Sequence, residues 1–239
     1  MEMSFYILLS IVILFGSMQS ILGIGLLLFG TPILLILGFN YIEVLWILLP
    51  TSCSLSLFQV FENYKLVQFR SEVFIYTLPI LILSLFILLS FDYFFDVKKI
   101  VGVFLILIAI LRLSHFSKMR VEKLILKSKN FIYFLIGLMH GFSNLGGAPL
   151  TILMSSLYQD NKKISTNIAF VYFILALSQL IILYTNESDF FELTYLIFIP
   201  IVILNHILLN KFFRIKINNS SFKIILNIAI FLFGFACLF

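Results

Sequence analysis

His140-Gly141-Phe142-Ser143-Asn144-Leu145-Gly146-Gly147-Ala148-Pro149-Leu150 interrupts an otherwise apolar run of the chain. Pro149 suits the first turn of a helix, where its missing N–H costs nothing. The glycines permit positive φ and close backbone approach. The stretch therefore reads as a helix end, a tight tip and a new helix start. The flanking apolar segments, 131–142 and 148–158, hold about 12 and 11 residues, or roughly 16–18 Å of helix each. A hydrocarbon core is ~30 Å thick, so neither spans it comfortably. The pattern favours a hairpin whose tip lies at membrane depth. Such a tip must be buried in protein or face a water-filled cavity.

Composition requires the membrane. Of 239 residues, 62% are hydrophobic and only 11% charged, with a mean hydropathy of +1.15. A soluble domain carries about a quarter charged residues. This chain cannot coat a water-facing surface, so it is expected to be an all-α, polytopic integral membrane protein with the lipid bilayer as a partner. No G-x-x-x-x-G-K-[ST] loop is present, which excludes a nucleotide-driven motor. The net charge of +5 comes from Lys and Arg in short loops, where they set membrane orientation, so no nucleic-acid partner is expected. Cys53 and Cys237 lie in apolar segments and give neither a disulfide framework nor a metal spacing. No metal or cofactor is expected. The N-terminus lacks a basic n-region and reads as mature.

Outward from the tip, charges bound the remaining segments. No charged residue occurs between Glu2 and Glu43, a stretch of about 40 residues or roughly 60 Å of helix. It must break, and Gly23 and Gly25 mark the break, with Gly30-Thr31-Pro32 as a second possible interruption. The first-half segments are 4–22, 25–38, 42–61, 73–91 and 97–114. Those of the second half are 131–142, 148–158, 164–185, 193–210 and 222–238. A gapless shift of 121 places Gly16 on Gly137, Met18 on Met139, Gly25 on Gly146, Asn40 on Asn161 and Pro79 on Pro200. We read a duplication, with repeats over 1–115 and 131–239 joined by a basic linker, 116–130.

The Lys/Arg-rich stretch 112–129 is expected in the cytoplasm, and the loop of Glu187, Asp189 and Glu192 outside. Lys211, Arg214 and Lys216 return the chain inside. Each half then crosses an odd number of times, which makes the two repeats inverted. Each repeat contains a Gly-broken hairpin or a discontinuous helix pair.

The candidate substrate-binding residues cluster at the tips and on one helix. Ser20, Gly23 and Gly25 form the first tip; His140, Ser143, Asn144, Gly146, Gly147 and Pro149 form the second. The helix starting near Pro149 presents N–H groups and a positive dipole end, suited to a small anion. Transporters place such broken helices around their substrate. Close packing by small residues is the other reading of the tips. Ser52, Ser56, Gln59 and Asn63 share one helix face, flanked by Thr51, and can line a cavity or act as interhelical glue. His140 can carry a proton or hold the tip as a neutral hydrogen-bond partner. His206 reads as interfacial. No G-x-S-x-G or H-E-x-x-H motif supports an enzyme, and no catalytic residue is assigned.

The duplicated breaks and Gly137-x-x-x-Gly141-x-x-Asn144-x-Gly146-Gly147-x-Pro149-Leu150 resemble the sulfite exporter TauE/SafE family. The family tip reads G-x-x-x-G-x-x-G-x-G-G-G-P-L. Asn144 and Ala148 replace glycines here, and Ser20-Ile21-Leu22-Gly23-Ile24-Gly25-Leu26 is a more apolar version. The resemblance implies a multi-pass plasma-membrane carrier for a small anion such as sulfite, a sulfonate or another organic or sulfur-containing anion. The expected function is a secondary transporter working by alternating access, with an ion channel or a membrane-embedded assembly subunit as the alternative. A homo-oligomer is compatible with the sequence.

Overall fold

The computed structural model describes residues 2–91, 94–113, 127–212 and 220–239. Those residues form ten α-helices and no strand. In the first half these are α1 (Glu2–Leu22), α2 (Leu26–Ile36), α3 (Tyr41–Glu62), α4 (Leu78–Ser90) and α5 (Val97–Leu113). In the second they are α6 (Lys129–Ser143), α7 (Gly147–Leu157), α8 (Asn161–Asn186), α9 (Phe198–Phe212) and α10 (Ser220–Leu238). Every apolar segment read from the sequence is a helix within a few residues of its expected ends. Most of the linker, residues 116–126, lies outside the described residues, as do Arg214 and Lys216.

Length sorts the helices. Phe5–Leu22, Tyr41–Glu62, Val73–Ser90, Asn161–Asn186 and Leu193–Lys211 are long and apolar enough to cross a bilayer. α2 and α7 have 11 residues each, about 16 Å, and cannot cross alone. Many large apolar side chains, among them Leu14, Ile82, Phe86, Leu204 and Phe235, are exposed on the outside of the bundle. Lipid is the solvent that such a surface suits.

Local chemistry fixes the helix ends. α3 opens with a capping box: the Asn40 side chain accepts from the Ile42 and Glu43 N–H groups, and the Glu43 carboxylate accepts from the Asn40 N–H. α8 opens on Asp160, whose carboxylate accepts from the Lys163 N–H at 2.7 Å. α1 and α6 both end in a left-handed residue, Gly23 at φ 76° and Asn144 at φ 64°.

The shift of 121 is visible in three dimensions. α1 packs on α9 of the other half, and α6 packs on α4. At these crossings a Cβ on Gly16 would strike Val202, and one on Gly137 would strike the Thr77 carbonyl oxygen. The Trp46 indole donates to the Glu187 carbonyl at 2.9 Å, and the Asn167 amide donates to the Leu66 carbonyl at 3.0 Å. These are the same contact made twice, with halves exchanged. They also set direction. The start of α3 lies beside the end of α8, and the start of α8 beside the end of α3, so the equivalent helices run antiparallel. The halves interleave rather than forming separate packing units.

One ion pair ties the start of α6 to the loop before α4: Lys129 Nζ lies 2.8 Å from Glu72 Oε1. The hydrogen bond from Lys129 is the main cause that lowers the Glu72 carboxyl below its ordinary value. A lowered carboxyl stabilises the fold above the unfolded-state value and loses that contribution as pH falls through the folded-state value. Lys129 is well exposed, so the pair is worth below about 1 kcal/mol. E72Q is expected to melt slightly below wild type at pH 7, and the two melting curves should converge below about pH 4.

Candidate functional site

Both tips fold back on the helix they have just left. The N–H of Gly23 donates to the Gln19 carbonyl at 2.9 Å, and that of Asn144 to the His140 carbonyl at 2.9 Å. A Cβ on Gly25 would lie 2.7 Å from the Phe15 carbonyl oxygen, and one on Gly146 would lie 2.7 Å from that of Ile136. Phe15 and Ile136, like Gln19 and His140, are 121 residues apart. Only glycine fits these two positions.

The second tip is sealed within the protein. His140, Ser143, Asn144 and Leu145 are fully buried. Several polar atoms there have no hydrogen-bond partner: both ring nitrogens of His140, the Tyr172 hydroxyl, Asn144 Oδ1 and Gln179 Oε1. Gln179 Nε2 donates to the His140 carbonyl at 3.3 Å, and Asn144 Nδ2 to Thr31 Oγ1 of α2 at 3.4 Å. The His140 ring stands edge-on to Tyr172, with centroids 5.7 Å apart. The Tyr172 hydroxyl sits where a Cβ on Gly147 would be. No side chain caps α7, which leaves its first N–H groups beside this cluster. A buried polar atom without a partner costs about 1–3 kcal/mol. Several of them lie together around the N-terminus of α7.

The first tip is wired differently. Gln19 Nε2 donates to Ser52 Oγ and Ser56 Oγ, each at 3.1 Å. Gln59 Nε2 donates to the carbonyls of Gln19 and Ser20, each at 3.4 Å. Beyond this network lies a cavity of about 600 Å³ whose lining includes Ser20, Gln59, Glu62, Asn63, Lys162 and His206. The polar face of α3 is therefore divided. Ser52 and Ser56 are interhelical glue, while Gln59 and Asn63 line a cavity. Thr51 turns its hydroxyl toward the Ile47 carbonyl of its own helix at 3.5 Å, Ser20 toward Gly16, and Ser143 toward Met139. At the opposite end of the bundle, the residues equivalent to Glu62 and His206 are Leu183 and Leu85, both fully buried. Among the described residues, a smaller pocket lined by Trp46, Leu180, Ile181, Tyr184 and Thr185 lies there.

The sulfite exporter TauE/SafE family profile matches residues 8–237, nearly the whole chain. The chain belongs to the TauE/SafE family. No curated protein and no solved structure matches it.

As a TauE/SafE member the chain is a membrane protein of a transporter family, and its tips are the parts on which the resemblance rested. The structure places the tip residues Gly23, Gly25, Asn144, Gly146 and Gly147 at the two helix breaks. Pro149 sits in the first turn of α7. Asn144 reaches the middle of α2, and Gly23 faces Ile168 of α8. The His140 ring lies against Tyr172, and the Gln179 side chain reaches the His140 carbonyl. His206 is 2% exposed and lines the cavity. Sequence reasoning missed Gln19, Thr31 and Tyr172. The shift of 121 puts Gln19 on His140 and could have found it. Tyr172 had no such cue among ten tyrosines in an aromatic-rich chain.

Proposed function

We propose that the protein is a secondary transporter of the plasma membrane that moves a small anion, of the sulfite, sulfonate or related organic class, by alternating access. The observation that carries this reading is the one-sided cavity. It lies between the halves and reaches the first tip, while the pocket at the equivalent place on the other side is smaller and lined mainly by apolar side chains. A duplicated bundle with a polar cavity at one end and only a small apolar pocket at the other suits one of the two end states that alternating access requires. Exchange of the halves describes the second. The second tip supplies the anion site: the N-terminus of α7, the Tyr172 hydroxyl, His140 and Asn144.

The antiparallel pairing of α3 and α8 supports an inverted repeat. With Lys162 and Lys163 inside, the cavity opens to the cytoplasm. Cysteine placed at 188 should react with an impermeant reagent in intact cells, whereas cysteine at 118 should react only after permeabilisation. The reverse pattern would overturn the orientation. Substrate class is tested by melting the detergent-purified protein with sulfite, sulfate, thiosulfate, sulfonates and small carboxylates. A ligand bound only by the folded state raises apparent stability, by about 2.7 kcal/mol at a hundred times Kd. If no anion raises it, the carrier reading fails.

A further inference from the structure

The cavity wall contains one pair of titratable groups that joins the halves. His206 Nε2, on α9, lies 2.9 Å from Glu62 Oε2 at the end of α3 and 2.9 Å from the Asn210 amide. The imidazole is 2% exposed, and its Nδ1 has no partner. When Nε2 donates to the carboxylate, the Asn210 amide must turn its oxygen toward the ring, and Nδ1 is left as a buried lone pair beside a cavity. Gln59, 7% exposed, adds a second unpartnered atom, Oε1, to the same wall.

The charges around the pair are few. Lys162, in the first turn of α8, lines the cavity, as do Asn161, Ser165 and Thr166 of the same helix start. Asp160 is engaged as the N-cap of α8, and Lys163 lies over the Tyr158 ring. Lys65 follows α3 in a short turn, and Lys211 sits in the last turn of α9. α1, which packs against α9, contains no charged residue after Glu2. Among the described lining residues, Glu62 and Lys162 balance when His206 is neutral. A proton on Nδ1 turns the lining net positive beside a helix N-terminus, and Glu62 stays paired to the imidazolium. Histidine is the side chain whose charge ordinarily changes near neutral pH.

We propose that Glu62 and His206 are a proton-binding pair and that the protein takes its anion together with a proton. Proton and anion then favour each other's binding by the same factor. The equivalent positions at the other end, Leu183 and Leu85, cannot titrate, so the proton is exchanged from one side of the bundle only. This inference rests on the anion-carrier reading but concerns a different place from the second tip.

The test uses the full-length protein in detergent with sulfate and methanesulfonate, neither of which titrates between about pH 5 and 9. Calorimetry at pH 7 in two buffers of different protonation heat counts the protons taken up. Wild type should take up a measurable fraction of one proton per anion and bind about tenfold more tightly at pH 6 than at pH 8. E62Q should bind at pH 8 as tightly as wild type at pH 6, with no proton uptake. H206Q should bind at pH 6 as weakly as wild type at pH 8. Glu62 is partly exposed, so E62Q carries the test even if H206Q does not fold. Anion binding without proton uptake in wild type, or proton uptake that survives in E62Q, overturns the pair and leaves the carrier reading standing. Failure to bind either anion overturns both.

Discussion

Gly147→Leu is expected to abolish anion binding and transport. The Tyr172 hydroxyl already occupies the place of a Cβ at this position, and Tyr172 Cζ would lie 2.6 Å from it. Tyr172 is buried. Overpacking a core costs about 1–3 kcal/mol, so the variant should also melt lower. Even Gly147→Ala should show the effect. Adding Tyr172→Phe to Gly147→Ala removes the hydroxyl and should recover part of the melting temperature. If the double variant recovers stability but not transport, the hydroxyl is a substrate contact. Normal transport by Gly147→Leu would show that the second tip is not the anion site.

The second large effect is expected at Asn144, which holds φ 64°. Asparagine tolerates this left-handed region, and a β-branched residue does not. Asn144→Val should cost about 1–3 kcal/mol through backbone strain alone. Asn144→Gly should fold with nearly wild-type stability, because Gly23 holds the same conformation in the other half. It should nevertheless bind anion more weakly, having lost both the Thr31 contact and the amide in the sealed cluster. Asn144→Leu should lose transport altogether. Equal melting temperatures for the Gly and Val variants would remove the strain argument. Undiminished anion binding by Asn144→Gly would remove the side chain from the site.

Much of this was legible in advance because it is written along the chain. Gly23, Gly146 and Pro149 mark breaks by their own backbone chemistry. Asn40 with Glu43 marks a helix start. The polar face of α3 was visible from spacing alone, but its meaning was not. Ser52 and Ser56 became glue because Gln19 stands opposite them, and Gln59 became cavity wall because α1 ends beside it. The pairing of His206 with Glu62 was not visible, because the two lie 144 residues apart in sequence.

By itself the sequence determined that this protein lives in a membrane, roughly where each apolar helix lies, and where two helices break. Those properties follow from composition and from short-range backbone preferences. Only the tertiary structure decided that Tyr172 closes on Gly147, that the second tip is sealed while the first borders a cavity, and that Glu62 meets His206 across the halves. The reason is physical. In lipid, an outward helix face is as apolar as a buried one. Hydropathy therefore cannot say which face meets which neighbour, and the choice falls to the packing of side chains far apart in the chain.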